Sequence, residues 1–158
     1  MKIGVISDIH ENFHNLILAL GKMKEEGVEQ IICLGDLMND GIAKILSISE
    51  TPVYMVWGNN DGDKVVLTKT AGRAGSRLGV SNNTYDFLEY DNRKIFVTHY
   101  EDLALPMAKS GNFDIVFCGH THGFGESQIL PNLKVITGGA EYGFLQVQKI
   151  VKIKCFLS

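Results

Sequence analysis

Three short apolar runs, Ile3 to Ile6, Ile31 to Leu34 and Val53 to Val56, stand far enough apart for a helix to fit between each pair. That spacing constrains the fold more than any other feature of the chain. Parallel strands cannot be joined by a tight turn; they need a crossover of a dozen or more residues, right-handed in nearly every case. Strands of a parallel sheet are covered on both faces and therefore read as continuous apolar runs rather than alternating ones. The pattern predicts β–α–β–α–β with a parallel sheet, and in such sheets ligands gather beyond the carboxyl ends of the strands.

The residues at those ends are chemically alike. The first run stops at Ser7-Asp8-Ile9-His10, the second at Gly35-Asp36, the third at Gly58-Asn59-Asn60-Asp61-Gly62. Any one of these alone reads as a turn, because Asp, Asn and Gly are ordinary turn residues. Three in succession, each bringing a nitrogen or oxygen donor to one rim, read as a site. Between them, Phe13, Leu16, Ile17, Leu20 and Met23 form a helical stripe closed by Gly27, and a second helix is predicted over Ala43 to Ile48, before Pro52. His14, in the first helical turn, reads as a surface or capping residue. Lys64 to Gly79 reads as a helix followed by a glycine-punctuated surface segment. Its Arg73 and Arg77 match neither a P-loop nor a dinucleotide fingerprint, so an anion-steering flap is the minor reading there.

From Thr84 the pattern becomes mostly β. Tyr85 to Glu89 and Lys94 to Thr98 flank the turn Tyr90 to Arg93 as a hairpin whose second strand runs into His99. A short helix, Leu103 to Lys109, precedes the strand Asp114 to Cys118, which delivers Gly119-His120-Thr121-His122. Ser127 to Leu130, Lys134 to Thr137, Gly143 to Gln148 and Ile150 to Phe156 read as further strands. In extended backbone His120 and His122 would point one way, with Cα atoms about 6 to 7 Å apart, and Asp8 and His10 likewise. No linker or repeat interrupts residues 1–158, which are read as one domain.

Composition narrows the function classes. With 45% hydrophobic and 21% charged residues, the chain is an ordinary globular one. A formal charge of −3 argues against a surface built to neutralise phosphates, so no stable nucleic-acid complex is expected. The cysteines Cys33, Cys118 and Cys155 sit singly in or beside apolar segments and read as reduced core thiols. Met1 runs straight into a strand without a signal peptide, and no apolar stretch reaches the roughly 20 residues that span a bilayer. A cytoplasmic protein without a membrane partner is expected.

Asp8, His10, Asp36, Asn59, His99, His120 and His122 are too many donors for one tetrahedral ion. They suit two ions sharing one carboxylate, roughly 3.5 to 4 Å apart. Imidazole, carboxylate and amide without thiolate favour manganese, iron, zinc, nickel or cobalt over calcium or magnesium. They also disfavour a closed structural zinc site, which is usually rich in thiolate. Such a pair holds a bridging water and clamps charge on a tetrahedral centre, which points to phosphoester hydrolysis, with amide hydrolysis the weaker option.

The ordered set Asp8-x-His10, Gly35-Asp36, Gly58-Asn59-x-Asp61, His99 and Gly119-His120-Thr121-His122 resembles the calcineurin-like metallophosphoesterases, and in length their small single-domain bacterial and archaeal phosphodiesterase branch. The resemblance implies an α/β fold: a four-layer α/β/β/α sandwich of two facing mixed β-sheets flanked by helices. It implies that Asp8, His10 and His122 hold one metal, Asn59, His99 and His120 the second, and that Asp36 bridges them and holds the metal-bridging hydroxide. Two divalent transition-metal ions are expected, manganese first, with nickel, iron, zinc or cobalt as alternatives. The expected substrate is a small phosphodiester; the oligomeric state is open, a homodimer being one option. The competing expectation is a catalytically weak protein-interaction scaffold on the same fold, as in the related retromer subunit. The chain departs from the pattern at Asn60, where many relatives carry a histidine that helps the leaving group, so Asn60 is taken as a substrate contact. It departs again at Tyr100-Glu101 after His99, and at Ile136 to Ala140 on the pocket rim.

Overall fold

The computed structural model describes residues 1–121 together with the strand backbones 125–130, 133–137, 143–146 and 149–151. The predicted alternation is present: β1 (Lys2–Ile6), α1 (Phe13–Glu25), β2 (Gln30–Cys33), α2 (Asp40–Ser47) and β3 (Val53–Met55). It continues further than the sequence suggested, through α3 (Lys64–Ala71) into a fourth parallel strand, β4 (Leu78–Val80), registered with Leu78 opposite Val53. β4 lies in the segment read as a loose surface stretch. Its short Leu-Gly-Val core gives too little apolar period to detect, and pairing with β3 supplies the order.

The hairpin follows as β5 (Tyr85–Tyr90) and β6 (Arg93–Thr98), then α4 (Glu101–Lys109) and β7 (Ile115–Cys118). Asp91 and Asn92 both have positive φ (48° and 58°), the conformation that matches a two-residue turn to the twist of its strands. The last strands are β8 (Gly125–Leu130), β9 (Leu133–Thr137), β10 (Gly143–Gln146) and β11 (Lys149–Val151). One sheet runs β11-β10-β1-β2-β3-β4 and the other β5-β6-β7-β9-β8. Both are mixed: β10 is antiparallel to β1, and β5 and β8 are antiparallel edges on a parallel β6-β7-β9 centre.

Period-two alternation sorts the strand residues into layers. Ile3, Val5, Ile32, Leu34 and Val56 of the first sheet meet Ile95, Val97 and Phe117 of the second in a buried core between them. The opposite face of the first sheet, with Ile31, Cys33, Val53 and Met55, packs under Leu16, Ala19, Met23, Ile42, Leu46 and Leu67 of the helices. The opposite face of the second, with Phe96, Val116 and Cys118, is covered by Ala104 and Ala108 of α4. This is the expected α/β/β/α order, and it puts the carboxyl ends of β1, β2, β3, β6 and β7 on one rim.

The phase of α1 differs from its predicted stripe. Leu16, Ala19 and Met23 are buried, whereas Phe13 and Ile17 are 40% and 58% exposed. The buried face is thus centred on Leu16, Ala19 and Met23, with Leu20 packed at its edge. Cys33 and Cys118 are free and buried; burial raises both thiols, Cys118 to about 12, so neither is a nucleophile at neutral pH. Cys155 and the predicted strand residues Val147, Gln148 and Lys152 to Phe156 lie outside the described residues.

Candidate metal centre

The loops at that rim are bent by backbone rather than extended. Asp8 (φ 53°), His10 (φ 43°), Asp36 (φ 60°) and His120 (φ 71°) are all left-handed, as are Glu11 and Met38 beside them. For non-glycine residues this conformation costs on the order of 1 kcal/mol or more each and persists only where the surroundings enforce it. The extended-backbone expectation for the Asp8/His10 and His120/His122 pairs is therefore corrected: tight left-handed turns, not strand periodicity, aim Asp8, His10 and His120.

Hydrogen bonds between loops enforce the turns. The Asp8 amide donates to Gly35 O (3.0 Å), His10 to Asp36 O (3.2 Å) and Gly119 to His99 O (3.1 Å). Asp8 Oδ2 accepts from Ser7 Oγ at 2.6 Å and from the His120 amide at 3.1 Å. Asp36 Oδ1 accepts the Asn60 amide at 2.7 Å. Two glycines permit this closeness. A Cβ on Gly58 would lie 2.2 Å from Asp36 Oδ1, and one on Gly119 would lie 2.1 Å from Ser7 Oγ.

The donors gather as two triads, Asp8–His10–Asp36 and Asp36–His99–His120, with ligand atoms within 4.8 Å of one another in each. Asp36 belongs to both. Its Oδ2 lies 3.9 Å from His10 Nε2, while its Oδ1 lies 3.5 Å from His99 Nε2. His10 Nε2 is also 3.7 Å from Asp8 Oδ1. On the other side His99 Nε2 faces Asn59 Oδ1 at 3.0 Å and His120 Nδ1 at 3.2 Å.

The state of His99 follows from its partner. Its Nδ1 lies 2.8 Å from Leu34 O. A carbonyl only accepts, so Nδ1 carries a proton, which leaves Nε2 as the ring atom that faces the amide oxygen, the carboxylate and the second imidazole and would ligate a metal. Lone-pair atoms converging from a buried histidine and a buried aspartate suit a cation between them, so the donor set fits a divalent metal.

Of the expected ligands, Asp8, His10, Asp36, Asn59, His99 and His120 are brought together here. His122 lies outside the described residues, as do Gly138 to Ala140 of the rim segment. Asn60 is exposed at the mouth, and His14 is exposed on α1. Arg77 is engaged with the segment before β3: its guanidinium donates to Glu50 O at 2.7 Å, and its amide donates to Ser47 O at 2.8 Å.

Two supports had no site role in the sequence reading. Ser7 fixes Asp8, and nothing in a lone serine signals that. Asp61, quoted there only as part of a motif, is buried and accepts the Leu37 and Gly58 amides, tying the Asp36 loop to the Asn59 loop. Burial raises its carboxyl above the ordinary range, partly offset by those two amides.

Tyr100, one of the positions at which the chain departs from the family pattern, packs its ring against both imidazoles. It lies 5.1 Å from His99, edge-on at 88°, and 5.5 Å from His120. Exposed His120 is thus held from the side by an aromatic wall. Tyr100→Ala is expected to weaken metal affinity about tenfold, in the range of other support substitutions around ligands, with the melting temperature of metal-free protein shifted far less. Titration calorimetry with manganese measures it; unchanged affinity would show that the ring does not orient His120.

Residues 1–150 match the family model of the calcineurin-like phosphoesterase superfamily domain. The phosphodiesterase MJ0936 of Methanocaldococcus jannaschii is 34% identical over 126 residues, 77% of this chain and 74% of that protein. The solved structure of an archaeal phosphodiesterase superposes with a TM-score of 0.86 at 26% identity, covering 98% of this chain and 99% of that one. Vps29 of Entamoeba histolytica, solved with zinc, superposes at 0.64 with 16% identity over 100% of both chains, a likeness of fold alone. Among the described residues no helix is long and apolar enough to cross a membrane. The match over nearly the full length, and the ordered donor set that folds into one rim, show that this chain belongs to the calcineurin-like phosphoesterase superfamily.

Proposed function

We propose that this chain is a cytoplasmic, single-domain phosphodiesterase acting on a small diester with two divalent transition-metal ions, manganese foremost. Asp8 and His10, with His122 added from the sequence, would hold one ion; Asn59, His99 and His120 the other; Asp36 both. The observation that carries this reading is the sharing of Asp36, whose two oxygens face different triads. When bound, such ions supply a nucleophile at neutral pH and positive charge against the phosphoryl oxygens.

The chain's own groups do the orienting. Ser7 and the His120 amide fix Asp8, Leu34 O fixes the His99 tautomer, and the Asn60 amide fixes Asp36. In hydrolysis a water oxygen bonds to phosphorus as the ester P–O bond breaks, and the alcohol leaves as its oxyanion. The Asn60 carboxamide, exposed at the mouth, donates a hydrogen bond to that leaving oxygen but has no proton to transfer. The proton comes from solvent instead, without the roughly 10²- to 10⁴-fold help of a general acid.

Protein stripped with chelator and reloaded with manganese, nickel or zinc is the test. Nitrophenyl diesters are expected to turn over only with metal, and faster than alkyl diesters by more than leaving-group acidity alone accounts for in a histidine-bearing relative. Turnover by the stripped protein would sink the metal-dependent reading, and equal rates on the two diester classes would remove the argument from Asn60.

A further inference from the structure

The loops that carry Asp36 and Asn60 also wall a second concavity. Met38, Asn39, Asp40, Asp63 and Val66 line a cavity of about 300 Å³, at the lower end of the sizes that hold small organic groups. It adjoins the donor cluster on two sides. The Met38 amide donates to Asn60 O at 2.8 Å, and the Asn60 amide donates to Asp36 Oδ1 at 2.7 Å. On the other side Asn39 Nδ2 donates to Glu11, the residue after His10.

Two of the lining side chains are apolar and left partly in water: Met38 is 37% and Val66 38% exposed. Met38 is held at φ 67°. Gly62 closes on its carbonyl so tightly that a Cβ there would lie 2.6 Å from Met38 O. That conformation persists at a non-glycine residue only where the surroundings enforce it, and here it fixes Met38 in the cavity wall.

The polar lining argues about charge. Asn39 Oδ1 accepts the Gly41 and Ile42 amides at 2.9 and 3.2 Å, and Asp63 Oδ1 the Val65 and Val66 amides at 2.9 and 3.1 Å. The amides that open α2 and α3 are thus met by the chain's own caps rather than offered to an anion. Asp40 is paired with Lys44 at 2.6 Å, leaving Asp63 without a cationic partner among the ion pairs of the described residues. An apolar wall with the Asp63 carboxylate at its edge accepts an uncharged ring and repels a second anion.

We propose that this cavity is the leaving-group subsite: it receives an uncharged aromatic or nucleobase-sized group on the alcohol that departs from phosphorus, and it selects against anionic groups. The inference rests on the phosphodiesterase reading above, which puts the leaving oxygen at Asn60, beside Met38.

The test compares methyl 4-nitrophenyl phosphate with the analogue bearing a carboxylate on the nitrophenyl ring, at closely similar leaving-group acidity. The manganese-loaded wild type is expected to favour the neutral ring about tenfold in kcat/KM, and Val66→Lys to shift that ratio about tenfold toward the carboxylate. Val66→Ala, on an exposed helical position, is expected to lower the preference for the neutral ring about threefold. Ratios unmoved in both variants overturn the subsite. Separately, nitrobenzene, a neutral ring, added to metal-free protein is expected to shift the Met38 and Val66 methyl resonances. If those resonances shift but no diester turns over with any metal, the phosphodiesterase reading fails and the cavity stands as an aryl site; if they do not shift and nothing turns over, both fall.

Discussion

Asp36→Asn is expected to reduce hydrolysis of a chromogenic phosphodiester by at least about 10³-fold while leaving the fold intact. Asp36 is the one residue common to both triads, with one oxygen toward His10 and the other toward His99. Asparagine has the same shape, so the close approach of Gly58 and the bond from the Asn60 amide to Oδ1 can persist. What disappears is the negative charge and one acceptor atom, since the carboxamide nitrogen offers no lone pair to the second triad. Losing several kcal/mol of charge stabilisation corresponds to the stated drop, at about 1.4 kcal/mol per factor of ten. Elemental analysis is expected to show metal content falling together with the rate, whereas the circular dichroism of the metal-free variant matches wild type. Turnover within tenfold of wild type would remove Asp36 from its shared position.

The sequence disclosed which residues meet and misjudged how. Asp8, Asp36 and Asn59 could be placed on one rim because parallel strands must point the same way, so their carboxyl ends share an edge. That inference needs only the order and spacing of apolar runs, whereas His99 and His120, at strand ends of the second sheet, are joined to that rim by their donor chemistry and the family resemblance. The aim of each side chain needs φ, and φ at Asp8, His10, Asp36 and His120 is positive for reasons distributed over other loops. Gly35 O, the Asn60 amide and Ser7 Oγ lie far along the chain from the residues they fix, or look like ordinary loop residues, so no local pattern reveals them. The same limit hid β4, whose order comes from β3, and displaced Phe13 and Ile17 from the buried stripe of α1, which is made by Leu16, Ala19 and Met23. Ligand identity is a local property of the sequence; ligand geometry is a property of contacts between loops.

Gly119→Ala tests the most crowded of those contacts. The new methyl would lie 2.1 Å from Ser7 Oγ, 3.2 Å from Ser7 Cβ and 3.0 Å from Asp8 Oδ2. Ser7 is buried and its hydroxyl already donates to Asp8 at 2.6 Å. Either the hydroxyl rotates away and Asp8 loses a charge-assisted bond, or β7 moves back and the His120 amide leaves Asp8. Overpacking costs about 1 to 3 kcal/mol and the lost bond to a charged group about as much again. A destabilisation of about 3 kcal/mol lowers the melting temperature by roughly 6 to 12 °C in a domain of this size. Ser7→Ala alone loses the hydrogen bond but makes room, so in the double variant most of the clash is gone. The two substitutions are therefore expected to be less damaging together than their sum by about 1 kcal/mol or more, a coupling that thermal denaturation of the two single variants and the double reads directly. Additive losses would mean that Gly119 and Ser7 do not press on each other, and that β7 is not what holds Asp8 in its left-handed turn.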